Sequence, residues 1–316
     1  MFLMRLAPIL LFAYARIEHL RKTLDSLARN PLASESDLTV YMDGAKGEVD
    51  LPQVNAARVF LKQGRYEGVF HSLRIIERDK NLGLAQSIIQ GVSESLTATP
   101  DSAVIVLEDD LLLAPHFLTY MNEGLRLYRD DPRVMCIHGY NYPMETEGLS
   151  ESFFLLGADC WGWATWGRAW KHFNSDGQAL LTALKRRELT SHFDLEGAYP
   201  YMQMLEDQIL GKNNSWAIRW RAATFLAGGL TLYPRNSLVR NIGIDGSGVH
   251  CRSSSDFDVD LYPEKILLKR IPLQEDARAF AHTQKYFSKI TGQSFRSQDS
   301  LVIKGMRRLK RFFAQV

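Results

Sequence analysis

Three adjacent carboxylates, Glu108-Asp109-Asp110, follow the apolar run Val104-Ile105-Val106-Leu107. Like charges this close repel one another, and a divalent cation offsets that repulsion. Mg²⁺ or Mn²⁺ takes oxygen ligands, usually one or two carboxylates with water and substrate phosphates completing the shell. A metal held there can bridge the oxygens of a diphosphate and neutralise charge that develops as a bond to it breaks. An arbitrary Glu-Asp-Asp is more often a solvated acidic turn; the strongly apolar run ahead of it favours a site.

Other residues have chemistry to offer. Arg16 can pair with a phosphate through its fork of donors, or form a surface ion pair. Asp43 can accept hydrogen bonds from a nucleobase or ribose, or serve the turn before Gly44. Asn81 reads as the cap of a helix that starts near the nucleotide. Glu206-Asp207 lies inside a predicted helix; a carboxylate there can be a general base for an acceptor hydroxyl, or belong to a solvated face. Four of the six tryptophans fall between Trp161 and Trp170. Indole rings make platforms for the C–H faces of sugars, so one or two of them, Trp163 included, are expected to face a ligand and the rest to fill the core. The Gly-rich stretch from Asn241 to His250 can turn backbone N–H groups toward phosphates, and His250 can ligate a metal.

The elements that must position these groups alternate. Ala7 to Ala13, Asp37 to Met42, Ser72 to Arg78 and Ala103 to Leu107 read as strands. Ile17 to Ala28, Val54 to Lys62, Gly83 to Leu96 and Pro115 to Leu127 have helical periodicity. Such alternation implies an α/β fold with a mostly parallel central sheet flanked by helices. In open parallel sheets ligands bind beyond the carboxyl ends of the strands. Arg16, Asp43, Asn81 and the carboxylate trio each follow one of the first four strands, so they are expected to converge. Further strands are read at Arg133 to His138, Ser152 to Leu156 and Leu230 to Tyr233. Helices are read at Gln178 to Glu188 and Tyr199 to Leu210.

The 316 residues carry a net charge of +2, with 46% hydrophobic and 23% charged residues. That is ordinary for a globular chain and argues against a polyanion or nucleic-acid binder. The three cysteines show no metal-site spacing and no disulfide framework, which favours a reducing, cytoplasmic setting. The apolar start reads as the first core strand and not as a leader. Residues 1–255 are read as one domain and 256–316 as an extension. Within that extension, Lys304 to Arg311 holds five cations and no acid. Together with Met306, Leu309, Phe312 and Phe313 they form a basic amphipathic segment, which can lie on an anionic membrane or pack on the domain.

Taken together, these residues resemble the nucleotide-sugar glycosyltransferases of the GT-A fold. The first half looks like the family 2 enzymes: an apolar strand, a strand ending in Asp43-Gly44, then Arg78-Asp79-Lys80-Asn81-Leu82-Gly83 and the acidic metal motif. The stretch from Val106 through Phe117, and Asp131-Pro132, resemble the N-acetylglucosaminyltransferases that begin complex N-glycan branching. Gly162-Trp163, Glu206-Asp207 and Asn241 to His250 are similar to bacterial transferases that build surface polysaccharides. The resemblance covers about residues 7 to 251.

The resemblance implies roles residue by residue. Asp110 looks like the direct metal ligand, with His250 in the place of a second one. Asp109 resembles the ribose contact, Glu108 the group beside the donor sugar, Asp43 the uracil contact and Arg16 a phosphate contact. Asp207 resembles the catalytic base, or Glu206 if the alignment shifts by one. The implied activity is an inverting, Mn²⁺- or Mg²⁺-dependent transfer from a nucleotide-sugar, UDP-linked, to a glycan or lipid-linked glycan. Two rival readings are a nucleotidyltransferase acting on sugar phosphates and a non-catalytic carbohydrate-binding protein. The first normally carries a Gly-rich basic loop after its first strand, unlike Tyr14-Ala15-Arg16-Ile17-Glu18. The second leaves the carboxylates at the strand end unexplained.

Overall fold

The computed structural model describes residues 6–97, 102–245 and 255–292. Its first half alternates β1 (Ile9–Ala13), α1 (Ile17–Ala28), β2 (Asp37–Met42), α2 (Leu51–Lys62), β3 (Ser72–Glu77), α3 (Gly83–Ser95) and β4 (Ala103–Glu108). All five residues of β1 are buried, as a strand covered on both faces requires. Strand β1 is central among the four and pairs parallel with both β2 and β4; β2 pairs parallel with β3. The register sets Ala13 beside Met42, Met42 beside Glu77, and Phe12 beside Glu108. The carboxyl ends of the four strands therefore form one edge.

The second half continues with β5 (Leu111–Leu113), α4 (Phe117–Leu127), β6 (Val134–His138), β7 (Ser152–Leu156), β8 (Trp163–Trp166), α5 (Gly167–Trp170), α6 (Gly177–Arg186), α7 (Thr190–Phe193), α8 (Tyr201–Ile209), α9 (Trp216–Leu226), β9 (Leu230–Pro234), β10 (Val239–Asn241) and α10 (Ala277–Thr291). Among the described residues the strands form an eight-stranded sheet in the order β3-β2-β1-β4-β8-β6-β9-β7, with β10 and β5 as a separate ribbon. This is a mixed, mostly parallel, Rossmann-like α/β sheet flanked by helices.

Two pairings outside the parallel block matter for the site. Strand β8 runs antiparallel to both β4 and β6, with Trp163 opposite Val106 and His138. The chain entering β8 thus stands on the edge where β4 ends. Strand β10 runs antiparallel to β5, with Asn241 opposite Leu111. That pairing carries residues 241–245 to the carboxylates at the end of β4.

Residues 255–292 run back along the domain. Tyr262 N–H donates to Ser237 O, Ile271 N–H to Tyr128 Oη and Asp276 N–H to Phe154 O. Asp276 caps α10 by accepting from the amides of Arg278 and Ala279, and the helix ends at left-handed Gly292. Its inner face buries Ala279, Thr283, Tyr286 and Phe287. The basic segment at 303–313 lies outside the described residues. Among those described, no helix is long and apolar enough to cross a membrane.

Candidate functional site

The three consecutive carboxylates diverge. Asp109 turns toward the β1–α1 connection, where its Oδ2 accepts from Tyr14 N–H at 3.2 Å and its Oδ1 from Arg16 Nη2 at 2.7 Å. Asp110 presents Oδ2 to the same Arg16 Nη2, also at 2.7 Å. Two carboxylate oxygens therefore converge on one cationic atom. Burial works against the charge on Arg16, but Asp109 and Asp110 outweigh it and hold the guanidinium above its ordinary range. Burial raises Asp109, with Asp110 adding to the rise and Arg16 opposing it. Among the described residues Glu108 makes no such bond. Burial, then Asp110 and Asp109, push it well above the usual carboxylate range.

A loop distant in sequence closes over this pair. Ile242 N–H donates to Asp110 O at 2.8 Å, and Gly243 N–H donates to Asn241 Oδ1 at 2.7 Å. A Cβ on Gly243 would stand 2.0 Å from Asp110 Oδ2 and 3.0 Å from Arg16 Nη1. Only glycine permits that approach. His19 on α1 fastens the far side, with Nε2 at 3.2 Å from both Ile242 O and Asp245 Oδ2. His250 lies outside the described residues.

The donor set suits a hard divalent cation. Among the described residues no three His, Cys, Asp or Glu side chains close on one point. Mg²⁺ and Mn²⁺ do not need three, because phosphates and water complete the shell. A pair that converges on one guanidinium nitrogen can serve one metal ion, with Asp110 and Asp109 as its ligands. Arg16 itself bonds both carboxylates.

Asp43 stands at the end of β2, but its carboxylate is committed to backbone. Oδ1 accepts from Gly44 and Leu82 N–H, and Oδ2 from Leu82 and Gly83 N–H, at 2.8–3.2 Å. Those bonds cap the start of α3 and fill the carboxylate's acceptor sites. The expected direct uracil contact does not fit this arrangement. Asn81, read as the cap, instead donates through Nδ2 to Gly44 O at 2.7 Å. Gly44 approaches Lys80 so closely that a Cβ would stand 2.4 Å from its carbonyl carbon. Both residues tie the β2 and β3 ends together beside the site.

One second-half expectation needs a larger correction. Trp163 is fully buried, stacked on Trp216 at 5.3 Å and packed against Trp170 and Trp220. It is core and not a sugar platform. Asp207 binds Lys212 Nζ at 3.0 Å and Gln203 Nε2 at 3.1 Å, and Lys212 holds it below the usual carboxylate range. Glu206 binds Lys185 Nζ at 3.1 Å. Both candidate bases on α8 are thus ion-paired to exposed lysines.

The segment between β7 and β8 enters β8 beside the end of β4, next to the trio. His138 ends β6; its Nε2 accepts from Trp161 N–H at 3.1 Å, and burial holds the ring below its ordinary pKa. Gly139 N–H donates to Gly162 O at 2.7 Å. Trp161, partly exposed, packs edge-on against Tyr140 and Phe257. Burial pushes the Cys160 thiol well up, and Asp159, Glu108 and Asp110 push it further. Asp159, half-buried, accepts from Cys160 N–H through Oδ1 at 2.9 Å and from the Tyr142 hydroxyl through Oδ2. The sequence carried little signal for Asp159: a single acid, in no motif, before an aromatic run.

No family model and no curated protein matches this chain. Among solved structures, a UDP-glucose pyrophosphorylase complexed with UDP-glucose is 11% identical, with 72% of this chain and 90% of that chain covered, at a TM-score of 0.37. A protein from Bacillus anthracis described as a glucose-1-phosphate thymidylyltransferase, in complex with sucrose, is 11% identical over 54% of this chain and 75% of that one, at 0.33. S. aureus TarS is 12% identical over 57% of this chain and 29% of its own length, at 0.31. These are partial likenesses of architecture.

Proposed function

We propose that this chain is a divalent-metal-dependent glycosyltransferase. It moves a sugar, with inversion, from a UDP-linked donor to a hydroxyl of a glycan or lipid-linked glycan in surface polysaccharide synthesis. The observation that carries this reading is the convergence of Asp109 Oδ1 and Asp110 Oδ2 on one cationic atom at the strand ends, 2.7 Å from each.

Mn²⁺ or Mg²⁺, when bound by this pair, supplies positive charge to the diphosphate and so makes it a better leaving group. The chain's own groups do the rest. Arg16, displaced from the carboxylates, turns its fork of donors toward phosphate. Glu108, whose carboxyl is pushed up by burial and by Asp110 and Asp109, hydrogen-bonds the donor sugar. The partly exposed Trp161 offers an indole face to a sugar ring. The 241–245 loop, held on Asp110 by Ile242 N–H, lies beside the diphosphate. The basic segment at 303–313 holds the chain at an anionic membrane, where a lipid-linked acceptor resides.

Product identity tests the reading. Incubation with Mn²⁺ and a panel of UDP-sugars should release UDP, and chelation should abolish the release. A sugar-phosphate nucleotidyltransferase would instead form pyrophosphate from UTP and a sugar 1-phosphate. A carbohydrate-binding protein would release neither.

A further inference from the structure

We infer that Asp159 is the general base of the transfer proposed above, on which this assignment rests: its carboxylate takes the proton of the attacking hydroxyl. Three observations carry it. First, the sheet register brings the chain entering β8 to the end of β4, since Trp163 lies opposite both Val106 and His138. Trp161 N–H on His138 Nε2 and Gly162 O on Gly139 N–H then fix the segment two residues beyond Asp159. Second, the Cys160 thiol, next in the chain, lies within the electrostatic reach of Glu108 and Asp110 as well as of Asp159.

Third, among the described residues no cation bonds Asp159, although the buried Arg221 lies within its electrostatic reach. Asp109 and Asp110 hold Arg16, Asp207 holds Lys212, Glu206 holds Lys185, and Asp43 holds three amides. Asp159 accepts from the amide and the thiol of Cys160 and from the Tyr142 hydroxyl, and among the described residues no Lys or Arg bonds it. Those donors aim a carboxylate and leave it further acceptor capacity. The Tyr142 ring that aims it is itself wedged against Tyr140 and Phe287.

The step balances. The acceptor O–H proton passes to Asp159 as the oxygen forms its bond to the anomeric carbon. The bond from that carbon to the diphosphate oxygen breaks, and its electron pair leaves on UDP. Solvent later removes the proton from Asp159.

The test uses the full chain, Mn²⁺ and the best UDP-sugar of the panel, with water as acceptor. Asp159→Asn should bind UDP within about twofold of wild type and release it at least about 100-fold more slowly, the usual contribution of a general base. Sodium formate should restore Asp159→Gly by about tenfold or more, which a structural role would not allow. Asp207→Asn losing the release of UDP while Asp159→Asn retains it overturns the assignment. Asp159→Asn turning over within about threefold of wild type, losing UDP binding, or an Asp159→Gly variant deaf to formate overturns the assignment. A wild-type chain that releases no UDP from any donor refutes the transferase reading itself, so the two failures are distinct.

Discussion

Arg16 Nη2 stands 2.7 Å from Asp110 Oδ2 while bonding Asp109 at the same distance, so one guanidinium does the work of a cation between two carboxylates. The pair is mostly buried, with side-chain exposures of 26% for Arg16 and 13% for Asp110. Removing one partner of such a pair leaves an uncompensated charge.

Arg16→Met should therefore destabilise the metal-free chain by about 1–3 kcal/mol. Mn²⁺ should restore much of that loss, because the vacated carboxylates bind the ion more readily. Differential scanning fluorimetry with and without MnCl₂ checks this. The rise in Tm on adding metal should be larger for the variant than for wild type.

Glu108 gives a stability effect of opposite sign. Its folded-state pKa is raised, chiefly by burial and then by Asp110 and Asp109. For an acid shifted this way, the stability it contributes is present at low pH and is lost as pH rises through the raised value. Glu108→Gln keeps the shape and removes the charge. It should raise the Tm of the metal-free chain at pH 7.5 by roughly 2 °C or more, with little gain near pH 4. Turnover should fall in the same variant.

Asp43→Ala removes the acceptor for the amides of Gly44, Leu82 and Gly83. Loss of a helix cap that also joins two loops should cost about 1–2 kcal/mol in urea unfolding. Affinity for free uridine should change less than affinity for UDP, because the change acts through the position of α3 and not through the base.

Much of the first half is visible in the chain itself. Strand β2 and helix α1 fall on the expected residues, Asp37–Met42 and Ile17–Ala28, because alternating amphipathic helices and apolar strands leave a clear period. The second half blurs that signal. Helix α9 buries nearly every face, from Trp216 through Phe225, so it lacks the one-sided pattern by which a helix is recognised. Strands β5 and β10 have three residues each, too few for a period, and matter only because they pair. Trp163 shows the same limit at the site: an indole suits sugar and core equally, and only its neighbours Trp216, Trp170 and Trp220 decide. The Lys212 partner of Asp207 is likewise invisible in the helical pattern around it. The trio was legible as a cluster, but its division into a metal-suited pair and one raised acid depends on Arg16, 92 residues before Glu108 in the chain.

His192 should give the chain an alkaline sensitivity. It bridges Glu275 at 2.7 Å and Glu196 at 3.3 Å and lies flat on Phe280, tying α7 to the C-terminal segment. Burial opposes its charge, but Glu275 and Glu196 outweigh that and lift its pKa to about 9. The resulting stability, of order 1–3 kcal/mol, is present below about pH 6.5 and is lost as pH rises through about 9. Urea midpoints measured from pH 6 to 10 should fall across that window, and His192→Gln should flatten the profile.

Calorimetric titration of UDP into the wild-type chain, with MnCl₂ and then with EDTA, tests the central claim most directly. The account predicts binding at least about tenfold tighter with the metal, a coupling of about 1.4 kcal/mol, and loss of that difference in Asp110→Asn. Equal UDP affinity with and without Mn²⁺, or a full metal effect retained in Asp110→Asn, would contradict it.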